Sequence, residues 1–243
     1  MRLAVITPPH AMTCVGKLGL SYHMALATYC WDPLYVGYYR NLAMKGAHVI
    51  FDNGAAEHGE SLPFDDVLSL AEAIGATEVV MPDVLLDGPK TLQNTSSWVN
   101  YVPERNRMMV PQGNAMGEWL RCLDALVALG CRSIGIPKLC ERFVGGRVAA
   151  LRHIVSKKLH YTHDIHLLGC YRNPSKEIGD VVELFPWVRG IDTGAPIAHA
   201  QEGLTMSYDE HEPLKWDVPA PCKYVKGNIK ALLKICNGGQ ECI

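Results

Sequence analysis

A strand, a helix and a second strand follow one another in residues 48–83, HVIFDNGAAEHGESLPFDDVLSLAEAIGATEVVMPD. HVIFD and EVVMPD are short apolar runs, which is typical of strands buried on both faces. Between them SLPFDDVLSLAEAIG predicts a helix, because Ser61 is a candidate N-cap, acidic residues fall in the first turn and Gly75 follows the last turn. Each strand ends in an aspartate. The segment therefore predicts parallel strands joined by a helix, with carboxylates at the strand ends.

The same alternation recurs along the rest of the chain. Further strands are predicted at RLAVITP near the start, MMVPQG at Gln112, SIGIPK at Gly135, HLLG at Gly169 and RGIDT at Asp192. Helices are expected at about 33–44, 89–101, 116–130, 148–157, 175–185 and 224–236. These patterns give seven strands. For the eighth we expect GLTMS at 203–207, after a short helix that begins at Pro196.

Length and alternation together favour one large α/β domain. A chain of 243 residues with 48% hydrophobic content can form a single α/β barrel. We therefore predict one (β/α)8 TIM-barrel-like domain over residues 1–243, with an irregular or incomplete eighth unit and with residues 208–243 packing outside. A doubly wound sheet is the alternative, but it normally has a glycine-rich phosphate loop after its first strand. TPPHAMTCVG, at that position, has no such fingerprint.

The composition of the chain gives no overall signal for nucleic-acid binding and does not exclude it. The net charge is -2 and the pI is about 6.5, so any nucleic-acid binding must rest on a local basic patch. Nine scattered cysteines predict reduced thiols in the cytoplasm rather than a disulfide framework. We find neither a signal peptide nor a run that could span a membrane, and we expect a cytoplasmic protein with no membrane contact.

Four polar side chains stand where strands end. In a (β/α)8 barrel the carboxyl ends of the strands hold the chemistry, and Asp52, Asp83, Gln112 and Asp192 all fall there. The alternative for each aspartate is a cap on the following helix. Because all four share one edge, we favour an active site.

These segments resemble those of the guanine transglycosylase family, which contains the tRNA-guanine transglycosylases and their DNA-acting relatives in phages and genomic islands. The resemblance covers roughly residues 45 to 200, in the same order along the chain. FDNG is similar to the family's Asp-Ser-Gly-Gly motif, MPD to its base-recognition segment, PQG to its Val-Gln-Gly segment and GIDT to its nucleophile strand.

The resemblance implies a double displacement. Asp192 would attack C1′ of a nucleoside, expel guanine and form a covalent glycosyl-enzyme, with retention of configuration. Asp52 would be the general acid and base, first for the departing guanine and then for the incoming 7-deazaguanine. Asn53 stands where the family has serine, which keeps a hydrogen-bonding group and changes its reach.

Base recognition would come from other strand ends. Asp83 would accept from N1-H and the exocyclic amine of guanine, while Gln112 and a backbone N-H near Gly135 or Ile136 would hold the O6 and N7 side. Such pairing rejects bases that lack those groups, so adenine should be a poor substrate. Gly113, Gly135 and Gly169 fit either a close approach of a flat base or a tight turn.

Two departures from the family bear on the substrate. Cys222, Cys236 and Cys242 are too widely spaced for the family's zinc site, so we expect no metal and no cofactor. The RNA-binding additions of the longer tRNA enzymes do not fit into 243 residues. The chain is thus most similar to the small phage enzymes that exchange guanine in DNA for a base such as preQ0, which implies a host cytoplasm if it is phage-encoded.

A DNA substrate needs phosphate contacts and an extruded target base. The basic residues predicted to contact nucleic acid are Arg142, Arg147, Lys223, Lys226, Lys230 and Lys234. The last four recur at helical spacing, and a solvated helix face explains them equally well. Whether a partner protein opens the DNA is left open.

Three alternatives remain. The same residues would serve base exchange on tRNA. A barrel glycoside or nucleoside hydrolase would use Asp52 and Asp192 as its carboxylate pair and release a free base without exchange. A noncatalytic subunit is disfavoured because both aspartates are present.

Overall fold

Eight short strands alternate with helices along the chain. The structure is a computed structural model that describes residues 1–170, 173–206 and 212–239. The strands are β1 (Arg2–Val5), β2 (Tyr22–Leu26), β3 (His48–Asp52), β4 (Glu78–Val80), β5 (Arg107–Met109), β6 (Ser133–Pro137), β7 (Asp164–Leu168) and β8 (Gly190–Thr193). The α-helices are α1 (Met12–Gly16), α2 (Pro33–Met44), α3 (Ala55–His58), α4 (Phe64–Ile74), α5 (Gly88–Trp98), α6 (Met116–Ala128), α7 (Gly146–Ser156), α8 (Pro174–Leu184), α9 (Ala195–Gln201) and α10 (Cys222–Cys236).

The strands form one sheet in the order β1-β8-β7-β6-β5-β4-β3-β2. Neighbours pair in parallel, as β3 with β4, β4 with β5 and β5 with β6. The first strand also pairs in parallel with the last, with Arg2 opposite Gly190 and Val5 opposite Thr193. This strand order is that of a (β/α)8 TIM-barrel-like fold, so the predicted α/β fold class is confirmed.

The contacts group the chain into two compact units, residues 1–24 with 167–243 and residues 25–166. In the second unit, the interior is formed by apolar strand residues such as Phe51 and Met108, both fully buried. In the first, α10 packs against α8, α9, α1 and β1 through buried residues that include Ile229 and Leu232. Both units bury strands from both sides, as continuous apolar runs require.

The eighth strand is β2, and the predicted strand at 203–207 is wrong. Residues 203–206 form turns and coil, and Ser207 lies outside the described residues. YHMAL contains no β-branched residue, so its sequence does not indicate a strand. The buried Tyr22 lies over Gly190, where a Cβ would come within 2.7 Å of its ring. The guanidinium carbons of Arg2 and Arg189 stand 5.2 and 5.7 Å from the centre of that ring.

One helix start also differs from the expectation. α4 begins at Phe64 with Pro63 as its N-cap, and the Ser61 hydroxyl donates to the Leu62 carbonyl instead of capping the helix. The predicted end is confirmed. Gly75 has φ +77°, and its N–H donates back to the carbonyl of Ala71, which is the usual glycine termination.

The cysteines are not all reduced thiols. Cys14 and Cys222 form a disulfide that joins the middle of α1 to the first residue of α10, with Cα atoms 5.7 Å apart. The two positions are 208 residues apart in sequence, so their proximity arises only from the fold. Six other cysteines in the described ranges are buried. In the same ranges, none of the helices has the length and hydropathy that crossing a bilayer requires.

Candidate functional site

Asp83 is the centre of a buried polar cluster at the strand ends of the second unit. It follows β4 by three residues and is 3% exposed. Its Oδ1 accepts the amide N–H of Asn53 at 2.7 Å, and its Oδ2 accepts that of Gln112 at 2.6 Å. Burial raises the pKa of the Asp83 carboxyl to about 6, and the two amide hydrogen bonds limit the rise.

Asn53 is locked in one orientation by its neighbours. Its Nδ2 donates to the Met81 carbonyl at 2.8 Å as well as to Asp83, and its Oδ1 accepts the Ala55 N–H at 2.9 Å. The acceptors on one side and the donor on the other fix which end of the amide is nitrogen. Asn53 is therefore a rigid support for Asp83, and both of its amide hydrogens are used.

Gln112 holds the other carboxylate oxygen. Besides donating to Asp83, it accepts the Leu86 N–H at Oε1, at 3.2 Å. Leu86 has φ +64°, a left-handed conformation that is uncommon for a leucine. Gln112 was expected to contact O6 and N7 of a base. In the structure, one hydrogen of the Gln112 Nε2 amide is donated to Asp83 and so orients its carboxylate. The Nε2 group carries a second hydrogen, and its contact with a base stays a prediction.

A second layer fixes the loop that carries Asp83. On α5, the Thr95 hydroxyl donates to the Pro82 carbonyl at 2.8 Å, and the Thr91 hydroxyl accepts the Val84 N–H at 2.9 Å. The two threonines lie one turn apart, which places both hydroxyls on one helix face. Neither threonine was predicted from the sequence, although two threonines four positions apart after MPD were a usable signal.

Asp52 is the last residue of β3 and is half-buried. Its Oδ2 accepts the Gly54 N–H at 2.9 Å, which ties the carboxylate to the turn after the strand. Gly54 has φ +82°, and a Cβ there would come within 3.1 Å of Thr28 and Leu62. The turn therefore requires glycine, and Asp52 is both a strand-end carboxylate and a turn acceptor.

Asp192 lies in the first unit, in β8, and is 3% exposed. Its two carboxylate oxygens each lie 3.1 Å from the backbone nitrogen of Gly169, the residue after β7. Gly169 has φ +68°, which turns its N–H in a direction that most residues reach only with strain. The predicted strand-end residues 169 and 192 are thus in direct contact.

The other predicted glycine contacts have structural explanations or remain open. A Cβ on Gly113 would overlap the backbone nitrogen of Trp119 and come within 2.9 Å of the Glu118 carbonyl carbon, so close packing on α6 requires this glycine. Gly135 and Ile136 lie inside β6 and are buried. Their contact with a base stays a prediction.

The predicted basic contacts divide by exposure. The Arg147 side chain is 2% exposed, because α7 turns it into the core of its unit, so its assignment as a phosphate contact is wrong. Arg142, at the end of a 3-10 turn after β6, is exposed. On α10, Lys223, Lys230 and Lys234 are exposed and Lys226 is partly so, and the helix contains no acidic residue.

No family model matches the chain. No curated protein is similar enough to it in sequence to be a relative. The chemical reading of these residues therefore rests on their geometry and on the motifs. Within residues 1–170, 173–206 and 212–239, no group of three or more His, Cys, Asp or Glu side chains is placed to hold a metal ion.

Proposed function

We propose that this chain is a guanine transglycosylase that exchanges guanine in DNA for a 7-deazaguanine base such as preQ0. The observation that carries the proposal is the buried Asp83 carboxylate, each of whose oxygens accepts one amide hydrogen. A carboxylate oxygen has room for a further donor. N1-H and the 2-amino group of guanine are two adjacent donors, and they match two adjacent oxygens.

The ionisation of Asp83 suits this task. Its pKa of about 6 leaves the carboxyl mostly ionised at neutral pH, when it accepts two hydrogen bonds. The fixed amides of Asn53 and Gln112 prevent the carboxylate from rotating away from a bound base. A base that lacks either donor leaves a buried oxygen unpaired, which is costly.

In the proposed reaction, a carboxylate oxygen of Asp192 attacks C1′ of the nucleoside and the bond from C1′ to N9 breaks. The electron pair stays on guanine, which takes a proton from the Asp52 carboxyl. The Asp52 carboxylate then removes the N9 proton of the incoming base, whose nitrogen attacks C1′ and displaces Asp192. Both steps invert the configuration at C1′, so the net result is retention. The N–H of Gly169 orients Asp192 for the attack.

Phosphate contacts would come from the lysines of α10. This amphipathic helix buries Val225, Ile229 and Leu232 and carries Lys223 and Lys230 on its exposed side. The helix carries four lysines and no acidic residue, which favours binding of a polyanion even though the net charge of the chain is -2. We place DNA before tRNA because the motifs led us to expect a resemblance to the small DNA-acting members of the family.

Nucleoside mass spectrometry tests the proposal. DNA and tRNA are incubated separately with the protein and preQ0, digested and analysed for the modified nucleoside. We expect it in DNA. Modification of tRNA alone would contradict the DNA substrate, and release of free guanine without incorporation would show a hydrolase instead.

A further inference from the structure

We propose that Trp31 is a stacking platform for a nucleobase next to the target guanine in the nucleic-acid substrate. Trp31 is 79% exposed and Leu34 is 74% exposed, although both are large apolar side chains. They belong to the aromatic corner, residues 30–34, which joins β2 to α2 in the second unit. This inference rests on the proposed function, since a guanine site implies an extruded base whose neighbours lose a stacking partner.

Hydrogen bonds anchor the backbone around the aromatic corner, and the Trp31 indole is exposed to water. The Asp32 side chain accepts the Leu34 N–H at 2.8 Å and caps α2, while Pro33 occupies the first turn. Below it, the fully buried Tyr35 accepts the Leu26 N–H at its hydroxyl, at 3.0 Å. An anchored backbone lowers the conformational entropy that is lost when a flat partner binds to the exposed ring.

The aromatic corner lies beside the turn that carries Asp52. β2 neighbours β3 in the sheet, and the corner leaves β2 at the carboxyl end, where β3 ends in Asp52. Thr28, three residues before Trp31, lies 3.1 Å from the position of a Cβ on Gly54, whose N–H donates to Asp52. All of these residues belong to the second unit. Trp31 therefore follows, by three residues, a position that contacts the turn of the proposed general acid, at the same edge of the sheet.

The chemistry of the aromatic corner fits a nucleobase better than a protein surface. A stable protein interface buries about 800 Å² on each partner, whereas a tryptophan buries at most about 250 Å². Next to Trp31 in the sequence, the exposed apolar residues are Pro33 and Leu34, and the Asp32 side chain caps the helix start. An indole beside an extruded base offers a flat apolar face to the adjacent base, which every base can use irrespective of sequence.

Equilibrium binding tests the proposal without requiring catalysis. A short fluorescein-labelled DNA that contains one guanine is titrated with wild type, W31A, W31F and Y161A, and anisotropy is measured at several salt concentrations. Tyr161 is the matched control, because it is 77% exposed in the same unit and lies in the turn before the amino end of β7. Circular dichroism confirms that each variant is folded.

We expect W31A to weaken binding by at least about 10-fold, as the loss of one stacked base implies. W31F should stay within about 3-fold of wild type since it keeps an aromatic face. The salt dependence should be unchanged in W31A because stacking neutralises no phosphate, and Y161A should bind as wild type. Quenching of tryptophan emission by DNA should also disappear in W31F.

Two results would overturn the inference. One is equal affinity of W31A and wild type for DNA, or no binding by either. The other is a change of W31A from an oligomer to a monomer in light scattering, which would make the corner a protein interface. Its failure is separable from that of the proposed function. If wild type exchanges guanine and W31A binds DNA as tightly as wild type, only the role of Trp31 is refuted. If W31A binds DNA more weakly and wild type shows no exchange, only the transglycosylase activity is refuted.

Discussion

Asp83 and Asp192 are both nearly inaccessible carboxylates, yet the fold holds them by different means. Asp83 accepts from the side-chain amides of Asn53 and Gln112, one on each oxygen. Both oxygens of Asp192 lie at 3.1 Å from a single backbone nitrogen, that of Gly169. A carboxylate whose two oxygens each accept a short bond from a side-chain amide suits recognition of a base, and the contact of Asp192 with the Gly169 N–H suits the orientation of an attacking group. Substitutions at each region can break or sharpen this contrast.

The largest effect is expected at Asp192. Both D192A and D192N should lower guanine exchange by about 10⁴-fold or more, because the nucleophile is removed in either case. Exchange is measured with labelled guanine, and peptide mass spectrometry of quenched wild type should show a sugar attached to Asp192. If D192N kept exchange within about 10-fold of wild type, a nucleophilic role would be refuted.

The next effect is expected at Asp83. D83A removes two hydrogen bonds to a charged group, each of about 1.5–3 kcal/mol, so kcat/KM for guanine should fall by about 10²- to 10⁴-fold. Hypoxanthine, which lacks the 2-amino group, gives the matched comparison. Wild type should prefer guanine strongly and D83A should not. Equal preference in both proteins would show that Asp83 does not read the base.

The raised pKa of Asp83 also predicts a pH-dependent stability. Between its ordinary value of 3.8 and about 6, the folded protein keeps a proton that the unfolded chain has released. Its contribution to the unfolding free energy therefore falls as the pH rises through this window, by about 3 kcal/mol for a displacement of about 2 units. Urea denaturation of wild type and D83N at several pH values measures it. The stability of D83N relative to wild type should increase with pH, and a constant difference would contradict the assignment.

A smaller effect is expected at Gln112. Q112A removes one of the hydrogen bonds that limit the pKa of Asp83, so the acid limb of the pH profile of kcat/KM should move above pH 6. The rate at high pH should fall by only about 10-fold, the value of one hydrogen bond. Gln93, exposed on α5, provides the control in Q93A. An unchanged acid limb in Q112A would show that Gln112 does not influence the pKa of Asp83.

The smallest effect is expected at Gly169. Its φ of +68° makes G169A unfavourable by about 1 kcal/mol, but the N–H that contacts Asp192 remains. Thermal unfolding should show this loss, while exchange should fall by less than about 10-fold. G37A is the opposite control, because Gly37 lies inside α2 with open space around it and alanine there should stabilise the helix. A large loss of exchange in G169A would mean that the backbone at 169 does more than orient Asp192.

Strand alternation was enough to predict the fold class, and strand ends were enough to place Asp83 and Gln112 at one edge. Asn53 was singled out only through the resemblance of FDNG to a family motif. The pairing of amide with carboxylate was not predictable, since it depends on distances between separate loops. The strand at Tyr22 was missed because its burial comes from the fold rather than from a β-branched pattern. Arg147 was misassigned for the converse reason, as an arginine after two glycines looks exposed in sequence and is buried in the structure.

The Cys14–Cys222 disulfide is another feature that could not be predicted from local sequence. No local pattern connects two cysteines 208 residues apart. Their pairing follows from the packing of α10 against α1 in the first unit. The helical spacing of the lysines of α10 could be recognised in the sequence. Which side of the helix is exposed could be assigned only after the structure showed which side is buried.

Self-exchange of guanine tests the central claim most directly, because it does not depend on which 7-deazaguanine is inserted. Labelled guanine is incubated with unlabelled DNA and either wild type or D192N, and the label in DNA is counted after the free base is removed. We expect label to enter DNA with wild type at neutral pH and to be absent with D192N. Release of unlabelled guanine from DNA with no label incorporated would contradict it, since this outcome marks hydrolysis rather than exchange.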